Sequence, residues 1–468
     1  MNLKLSLNKI TQVRRNHSKT RTQANQPDAG FVRLNTHVLD FLKKALPKTT
    51  SRLPVLRLGL SGGVDSCVLL AVLLACKKTF DFDLQAVHVH HGLSPNADRW
   101  AKFCQDLCLH SNVPFVIAHV KVDKKSGLGI EASARNARYE ALLEGQFDYL
   151  LLAHHQDDQA ETFLLQLLRG SGLKGLSAMA DKDLEKRLLR PLLEISREEI
   201  EAYAKVTQLS WVEDESNDDV YFDRNYCRQK LMPMIEARFP AAKKTLARSA
   251  SHIAEAAHLL DELAELDAQH YGMADALNVE GLRSLSDARA KNLLRWWLAQ
   301  QRISMPSKNR LDEILIQLRE AKSEAKLKVQ LGDVVLRRYQ GFVYIESEGS
   351  SHPISLCWQG EDSLVMPDGS RLIFERKQGE GLAVERLGGH KLRITHRAGG
   401  ERFKPDLARP TRTLKYLLQE ANMPPWHRER LPLVYLDDTL AVVPNVGVNC
   451  QMQANKDEQG LVIAWQLN

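Results

Sequence analysis

Residues 61 to 66 read S-G-G-V-D-S. Gly62 and Gly63 let the backbone turn tightly and approach an anion, and Ser61 and Ser66 offer hydroxyls. Val64 and Asp65 would open a helix whose free N–H groups and partial positive charge face a phosphate. That is the make-up of a pyrophosphate cradle. No G-K-[ST] follows, so it is no Walker A loop, and the G-x-G-x-x-G of a dinucleotide fold is absent. Asp65 would repel a phosphate unless a divalent cation stands between them, which points to Mg2+ bound together with ATP. The plainer alternative is an ordinary strand-to-helix turn, where Ser, Gly and Asp are common.

A second group lies further along the chain. Asp158 and Glu161 stand at i and i+3 of an expected helix and share a face with Thr162. Two carboxylates so placed can grip an ammonium group and later accept its proton, a requirement because an amine is no nucleophile while protonated. A solvated acidic face at a helix N-terminus is the alternative. Arg135 and Arg138, three apart on the preceding helix, suit the neutralisation of charge on a transferring phosphoryl group, or serve as salt-bridge partners of Glu131 and Glu140. His88, His91, His154 and His155 close two apolar runs, where open α/β sheets bind ligands. With Asp157 and Asp158 they could also hold zinc.

These residues need a frame. Short apolar runs at 55–60, 84–89, 114–122 and 149–155 start roughly 30 residues apart, the length of a βαβ unit, and are continuous rather than alternating, as strands buried on both faces require. Helices are expected between them at 64–78, 97–112, 131–144 and 158–168, and another after Ser196, where S-R-E-E matches a capping box. The fold class is therefore α/β with a parallel sheet over 31–232. A helical domain over 233–346 follows, with helices at 241–269, 282–301 and 307–321 and a closing strand pair at 326–346. A smaller mixed α+β domain over 350–468 is signalled by returning Gly and Pro and by runs such as R-L-I-F-E-R.

Composition sets the limits. The 468 residues suggest about three domains. With 44% hydrophobic and 26% charged residues the chain is neither collagen-like, coiled-coil nor wholly disordered. Its apolar runs are far shorter than the ~20 residues that cross a bilayer, so no membrane partner is expected. Seven scattered cysteines without a C-x-x-C pair suggest neither a disulfide framework nor a thiolate zinc site, and fit a reducing cytoplasm. The net charge of +6 resides largely in the leader 1–30, which carries six basic residues against one acid and is expected to be mobile. An organellar transit peptide and an RNA-touching arm are its other readings. The body is nearly neutral, yet between Arg386 and Lys415 nine basic residues face two acids, Glu401 and Asp406, the local patch that a phosphate backbone needs. Trp426 either extends that patch or sits in a core.

The hexapeptide at 61–66 resembles the PP-loop of the N-type ATP pyrophosphatases, which split ATP between the α and β phosphates to adenylate a carbonyl oxygen. H-V-H-H-G-L at 88–93, E-A-S-A-R-N-A-R-Y at 131–139, L-A-H-H-Q-D-D-Q-A-E-T at 152–162, L-L-R-G-S-G-L-K-G-L at 167–176, R-P-L-L at 190–193, W-V-E-D-E-S-N at 211–217 and R-N-Y-C-R at 224–228 resemble, in order, the tRNA(Ile)-lysidine synthases. R-A-G-G-E-R-F at 397–403 and T-L-K-Y-L-L-Q-E at 413–420 resemble that family's C-terminal tRNA-binding domain.

The resemblance implies ATP bound by Ser61, Gly62, Gly63, Val64, Asp65, Ser66 and His88, with Mg2+ on Asp65. It implies lysine and the reacting base held by His155, Asp158, Glu161, Thr162, Arg224, Asn225 and Arg228, and chemistry supported by Asp65, Arg135, Asp158 and Glu161. It also raises Asp214, Ser216 and Asn217, which spacing alone would leave as a solvated loop. Gly170, Gly172 and Gly175 read equally as chain turns or substrate contacts. Arg397, Arg402, Lys404, Arg412 and Lys415 would meet tRNA. The implied partners are the isoleucine tRNA with a CAU anticodon and L-lysine, with a homodimer as a candidate assembly. The rival enzyme class is tRNA thiolation, whose sulfur route needs reactive cysteines, whereas Cys104 and Cys108 at i and i+4 read as buried. A tRNA-binding module with a decayed ATP site is the non-enzymatic alternative.

Overall fold

The computed structural model describes residues 29–46, 52–92, 94–120, 130–213, 215, 219–271, 276–320, 327–347 and 355–467. The leader as far as residue 28 and Asp214, Ser216 and Asn217 lie outside the described residues. The chain divides into two compact units, Met1–Glu262 and Leu263–Asn468.

The first unit opens with α1 (Ala29–Ala45), then β1 (Val55–Gly59), α2 (Val64–Cys76), β2 (Asp83–His90), α3 (Ala97–His110), β3 (Phe115–His119), α4 (Ile130–Leu143), β4 (Tyr149–Leu151) and α5 (Gln156–Leu168). α6 (Leu173–Leu176), β5 (Lys182–Asp183), β6 (Leu188–Leu189) and α7 (Arg197–Val206) follow. The sheet order is β3-β2-β1-β4-β6-β5, parallel except for the β5–β6 pair. β1 is buried on both faces, Leu56 and Leu58 on one and Arg57 and Gly59 on the other, and Leu150 and Leu151 of β4 are fully buried, whereas β3, at the sheet edge, leaves Val116 exposed. α2 is almost wholly apolar and is buried nearly all round, whereas α1 buries one stripe, Leu34, Val38 and Leu42, at four-residue spacing, which Leu46 just past its end continues. Phe31 stacks on Tyr203 of α7, with ring centroids 5.0 Å apart, and ties the two helices together.

The order of this sheet places the site. β1 has β2 on one side and β4 on the other, so the connections leaving β1 and β4 emerge side by side at the carboxyl edge. Residues 60–63 and 152–155, nearly a hundred positions apart in the chain, become neighbours there.

The second unit carries antiparallel sheets. The strand pair expected over 326–346 is three strands, Lys328–Leu331, Val334–Tyr339 and Phe342–Ser347, and Leu277–Asn278 pairs with the last of them. Two-residue turns account for the extra strand: Gly332 has φ +59°, and Gln340 and Gly341 both have positive φ, the requirement of tight hairpins. The helix expected over 282–301 is broken in two, Val279–Ser284 and Asp287–Gln300, because Ser286 accepts from the Arg289 N–H and caps a fresh start. Leu293, Leu294, Trp297 and Leu298 build one core there, and residues 356–465 build another around Leu372, Leu392, Leu433 and Val443. Among the described residues, no helix is long and apolar enough to cross a membrane.

Candidate active site

The turn between β1 and α2 is laced by its own hydroxyls. Ser66 Oγ accepts from the Gly62 N–H at 3.2 Å and donates to the Gly63 carbonyl at 3.0 Å, and Ser61 Oγ accepts from the Gly63 N–H at 3.3 Å. Gly62 has φ +93°, a backbone state that side chains resist. Its carbonyl accepts from the Val212 N–H at 2.9 Å, so the stretch after α7 clasps the turn from outside. Val64 spends its side chain on the core, and only its backbone N–H is left to face a phosphate. His88 is buried behind the turn, its Nδ1 2.9 Å from the Leu60 carbonyl, and burial lowers its pKa. It therefore buttresses the strand end that carries the turn.

His155 caps α5, the helix that bears the acid pair, and sits amid carboxylates. Its Nε2 lies 3.5 Å from Asp158 Oδ2 and 3.7 Å from Asp65 Oδ1, and its Nδ1 lies 3.9 Å from Asp157 Oδ1. Asp158 and Glu161 are both buried, on one face of α5 as their spacing predicts. Two arginines from the segment after residue 222 fill that face. Arg224 Nη2 lies 2.9 Å from Asp158 Oδ1 and its Nε 3.1 Å from Glu161 Oε2. Arg228 donates through Nε to Glu161 Oε1 at 2.6 Å and through Nη2 to Asp158 Oδ1 at 3.1 Å. Arg228 belongs to a π-helix, Cys227–Leu231, a rare geometry that recurs at functional sites. Asn225 turns the other way, and its Nδ2 donates to the Asp219 carbonyl at 2.9 Å.

Burial alone would raise the Asp158 pKa, but His155, Arg224, His154 and Arg228 outweigh it and hold the carboxyl below its usual range. The neighbouring His154 goes the other way: burial pushes it down to about 3 in spite of Asp158. Asp158 is thus an anion and His154 a neutral imidazole at neutral pH. Asp65 is pushed up by burial and pulled back by His155 and Arg197.

Arg135 is exposed on α4, its guanidinium 5.8 Å from the Tyr139 ring centroid. Arg138, on the same face, is the one whose charge acts on His88, His154 and Asp158. Thr162 is half-buried on α5 beside Glu161. Gly170 ends α5 in a left-handed conformation, and Gly172 opens α6 with free space where a side chain would stand. Two cations escaped sequence reasoning. Arg197 binds Asp65 Oδ2 at 2.6 Å, and Lys243 binds Asp157 Oδ2 at 2.9 Å. Arg197 was hidden inside the capping box at Ser196, which forms as expected.

Cys104 and Cys108 are fully buried, as their helical spacing suggests. Burial pushes Cys67 and Cys108 up to about 12 and raises Cys104 as well, so none offers the thiolate that sulfur transfer needs.

In the second unit, Arg402–Phe403 pairs with Arg412–Thr413 as a short ribbon. Phe403 and Leu414 are buried beneath it, which leaves Arg402, Arg412 and Lys415 exposed. Arg412 lies over the Tyr416 ring at 4.9 Å, and Lys404 is half-buried. Arg397 is set against Glu401 at 3.6 Å. Trp426 is a core residue, buried and edge-on to Tyr339 and Tyr344.

Known families match along much of this frame: a PP-loop domain over residues 33–235, a TilS substrate binding domain over 277–344 and a TilS substrate C-terminal domain over 392–465. The tRNA(Ile)-lysidine synthase of Nitrosomonas europaea is 44% identical over 418 residues, which cover 88% of this chain and 91% of that protein. Its namesake in Azoarcus sp. is also 44% identical, over 87% of this chain and 90% of its own length. That of Serratia proteamaculans is 41% identical over 87% and 94%. Similarity of this degree runs along most of the chain, which belongs to the tRNA(Ile)-lysidine synthase family.

Proposed function

We propose that the chain is an ATP-dependent ligase that makes lysidine at the wobble cytidine of the isoleucine tRNA bearing a CAU anticodon, changing the codon read from AUG to AUA. The cytidine O2 attacks the α-phosphate of ATP and pyrophosphate leaves. The lysine ε-amine then attacks C2, AMP departs, and the new bond is carbon to nitrogen. A cytosine carbonyl oxygen leaves poorly until it is esterified to phosphate, which is why adenylation comes first. The observation that carries the reading is a glycine turn at a parallel-sheet edge with a buried acid pair directly across from it.

In this reading Ser61 to Ser66 cradle the triphosphate, and the buttress of His88 fixes the cradle. Asp65 fits Mg2+: it is a hard oxygen donor, and its Oδ1 is buried without a hydrogen-bond partner. When bound, Mg2+ would offset the charge that builds on the departing pyrophosphate. Asp158 and Glu161, flanked by His155 and Thr162, take the lysine ammonium and its proton, with Arg224 and Arg228 exchanging partners as it enters. Arg135 and Arg138 face the phosphoryl group. Holding three substrates in place supplies much of the acceleration. We take 31–232 as the catalytic domain, 233–346 as the helical domain and 350–468 as the tRNA-binding domain, in a cytoplasmic enzyme for which a homodimer is a candidate assembly.

Incubation with ATP, labelled lysine and a CAU-anticodon transcript should give an anticodon fragment heavier by one lysine on mass analysis. A fragment whose cytidine is unmodified, with no pyrophosphate released, overturns the reading.

The ribbon predicts how tRNA affinity responds to salt. With Arg402, Lys404, Arg412 and Lys415 each meeting a phosphate, raising salt from about 50 to about 200 mM should weaken binding about 50- to 150-fold. Replacing Arg402 and Lys415 with Ala should lower the slope of log affinity against log salt by about 1.5 to 2. An unchanged slope would remove the ribbon from the RNA interface.

A further inference from the structure

Arg197 is the first residue of α7 and has no part in the mechanism above. Its position is fixed three times over. Its backbone N–H donates to Asp157 Oδ1 at 3.1 Å, its Nε donates to Glu201 Oε1 at 2.9 Å, and its Nη1 donates to Asp65 Oδ2 at 2.6 Å. The first bond ties the start of α7 to the start of α5, and the second is an i, i+4 pair along α7 itself. Together they hold the guanidinium so that its remaining edge meets the phosphate turn.

Asp65 is the only acid in that turn, and its two oxygens have different surroundings. Oδ2 is taken by Arg197. Oδ1 is buried with no hydrogen-bond partner and has the imidazole of His155 at 3.7 Å. A carboxylate secured through one oxygen has a fixed plane and offers the other in a fixed direction, which suits the single-oxygen ligation that Mg2+ accepts in its rigid octahedron.

We infer that Arg197 is the positioning residue of the phosphate turn, holding Asp65 by Oδ2 so that Oδ1 is presented to the Mg2+ that arrives with ATP. The inference rests on the metal role given to Asp65 above. The planar fork of arginine is what allows one side chain to serve Glu201 and Asp65 together, and a lysine, with one ammonium on a single stem, reproduces this only in part. The expected loss is of the size seen when the partner of a metal ligand is removed, about 10- to 100-fold in metal affinity.

The test uses the full chain with ATP and Mn2+ as a paramagnetic substitute for Mg2+, without tRNA, so that binding is read apart from turnover. In Arg197→Gln, Mn2+ affinity at saturating ATP should fall about 10- to 100-fold, and the Mg2+ concentration for half-maximal turnover should rise in parallel. Metal-free ATP affinity, measured in EDTA, should change by less than about twofold, and Arg197→Lys should recover part of the loss. Unchanged Mn2+ affinity in Arg197→Gln overturns the inference. So does an equal loss of metal-free ATP affinity, which would make Arg197 a phosphate contact. Asp65→Asn separates the two levels: if it abolishes Mn2+ binding while Arg197→Gln does not alter it, only the role of Arg197 falls, and if it leaves Mn2+ binding intact, the metal role of Asp65 falls with it.

Discussion

Asp158→Asn and Glu161→Gln should each lower kcat/KM for lysine by about 100- to 1,000-fold while leaving the first half-reaction, pyrophosphate release with tRNA present, within about tenfold of the parent. The reason lies in what the acid pair is surrounded by. Both carboxylates are buried, and two guanidinium groups fill the face they share. An incoming ammonium must take over some of those contacts, and it can do so only if the anions remain to hold it. Removing one carboxylate leaves two guanidinium groups sharing a single acid, a site that repels a third cation. Breaking a buried pair costs about 3–5 kcal/mol of stability, but the Arg224 and Arg228 side chains are 27% and 39% exposed, so water takes up much of the loss and about 1–2 kcal/mol is expected. Separate assays of pyrophosphate and of lysidine decide the matter. A lysine KM unchanged in both variants would sink the assignment of this pair.

The direction of the Asp158 pKa adds a check on that experiment. A carboxyl held below its unfolded value of about 3.9 contributes stability that is present above that pH and is lost as pH falls through the folded value. Across pH 6 to 9 it stays ionised, and neither activity nor stability should bend on its account. Any rise in rate with pH near neutrality then belongs to a group other than Asp158.

Much of this site could be read from the chain because its parts are local. The phosphate turn is six consecutive residues between a buried strand and a buried helix, and the acid pair shares one helical turn, so spacing fixes both. Continuous apolar runs marked four of the five parallel strands for the same reason, while the two-residue β6 left no such run. The contacts that spacing could not reveal join distant segments. Arg197 and Asp65 are 132 positions apart, and Arg224 and Asp158 are 66 apart. Neither pair follows from periodicity, since an arginine after a capping serine has the same local signature whether it faces solvent or a carboxylate. Lys243 is a similar case, for nothing near it in sequence points to Asp157. In the second unit the misread segments were those governed by two-residue turns, where Gln340 contributes a positive φ that its residue type does not advertise.

The phosphate turn itself yields the other large effect, through a contrast between its two glycines. At Gly62 a side chain meets both a forbidden backbone and a filled space: φ is +93°, and a Cβ would lie 2.8 Å from Val212 Cγ2 and 3.1 Å from Cys104 Sγ. The turn cannot slide away, because the Gly62 carbonyl accepts both the Val212 N–H and the Cys67 thiol. Gly62→Ala should therefore cost about 2–4 kcal/mol of stability, from backbone strain and overpacking together, and reduce ATP affinity by at least about 100-fold. Gly63 has φ −70° and, for its Cβ, no neighbour nearer than Ser61 Oγ at 3.6 Å. Gly63→Ala should leave the thermal midpoint almost unchanged, yet if the triphosphate lies against this backbone it should weaken ATP about tenfold or more, since the methyl group then stands where an oxygen must approach. Thermal unfolding and ATP titration of both variants separate a turn that fails to fold from one that folds and is blocked. ATP affinity unaltered in Gly63→Ala would place the nucleotide elsewhere, because the protein itself gives that methyl group nothing to disturb.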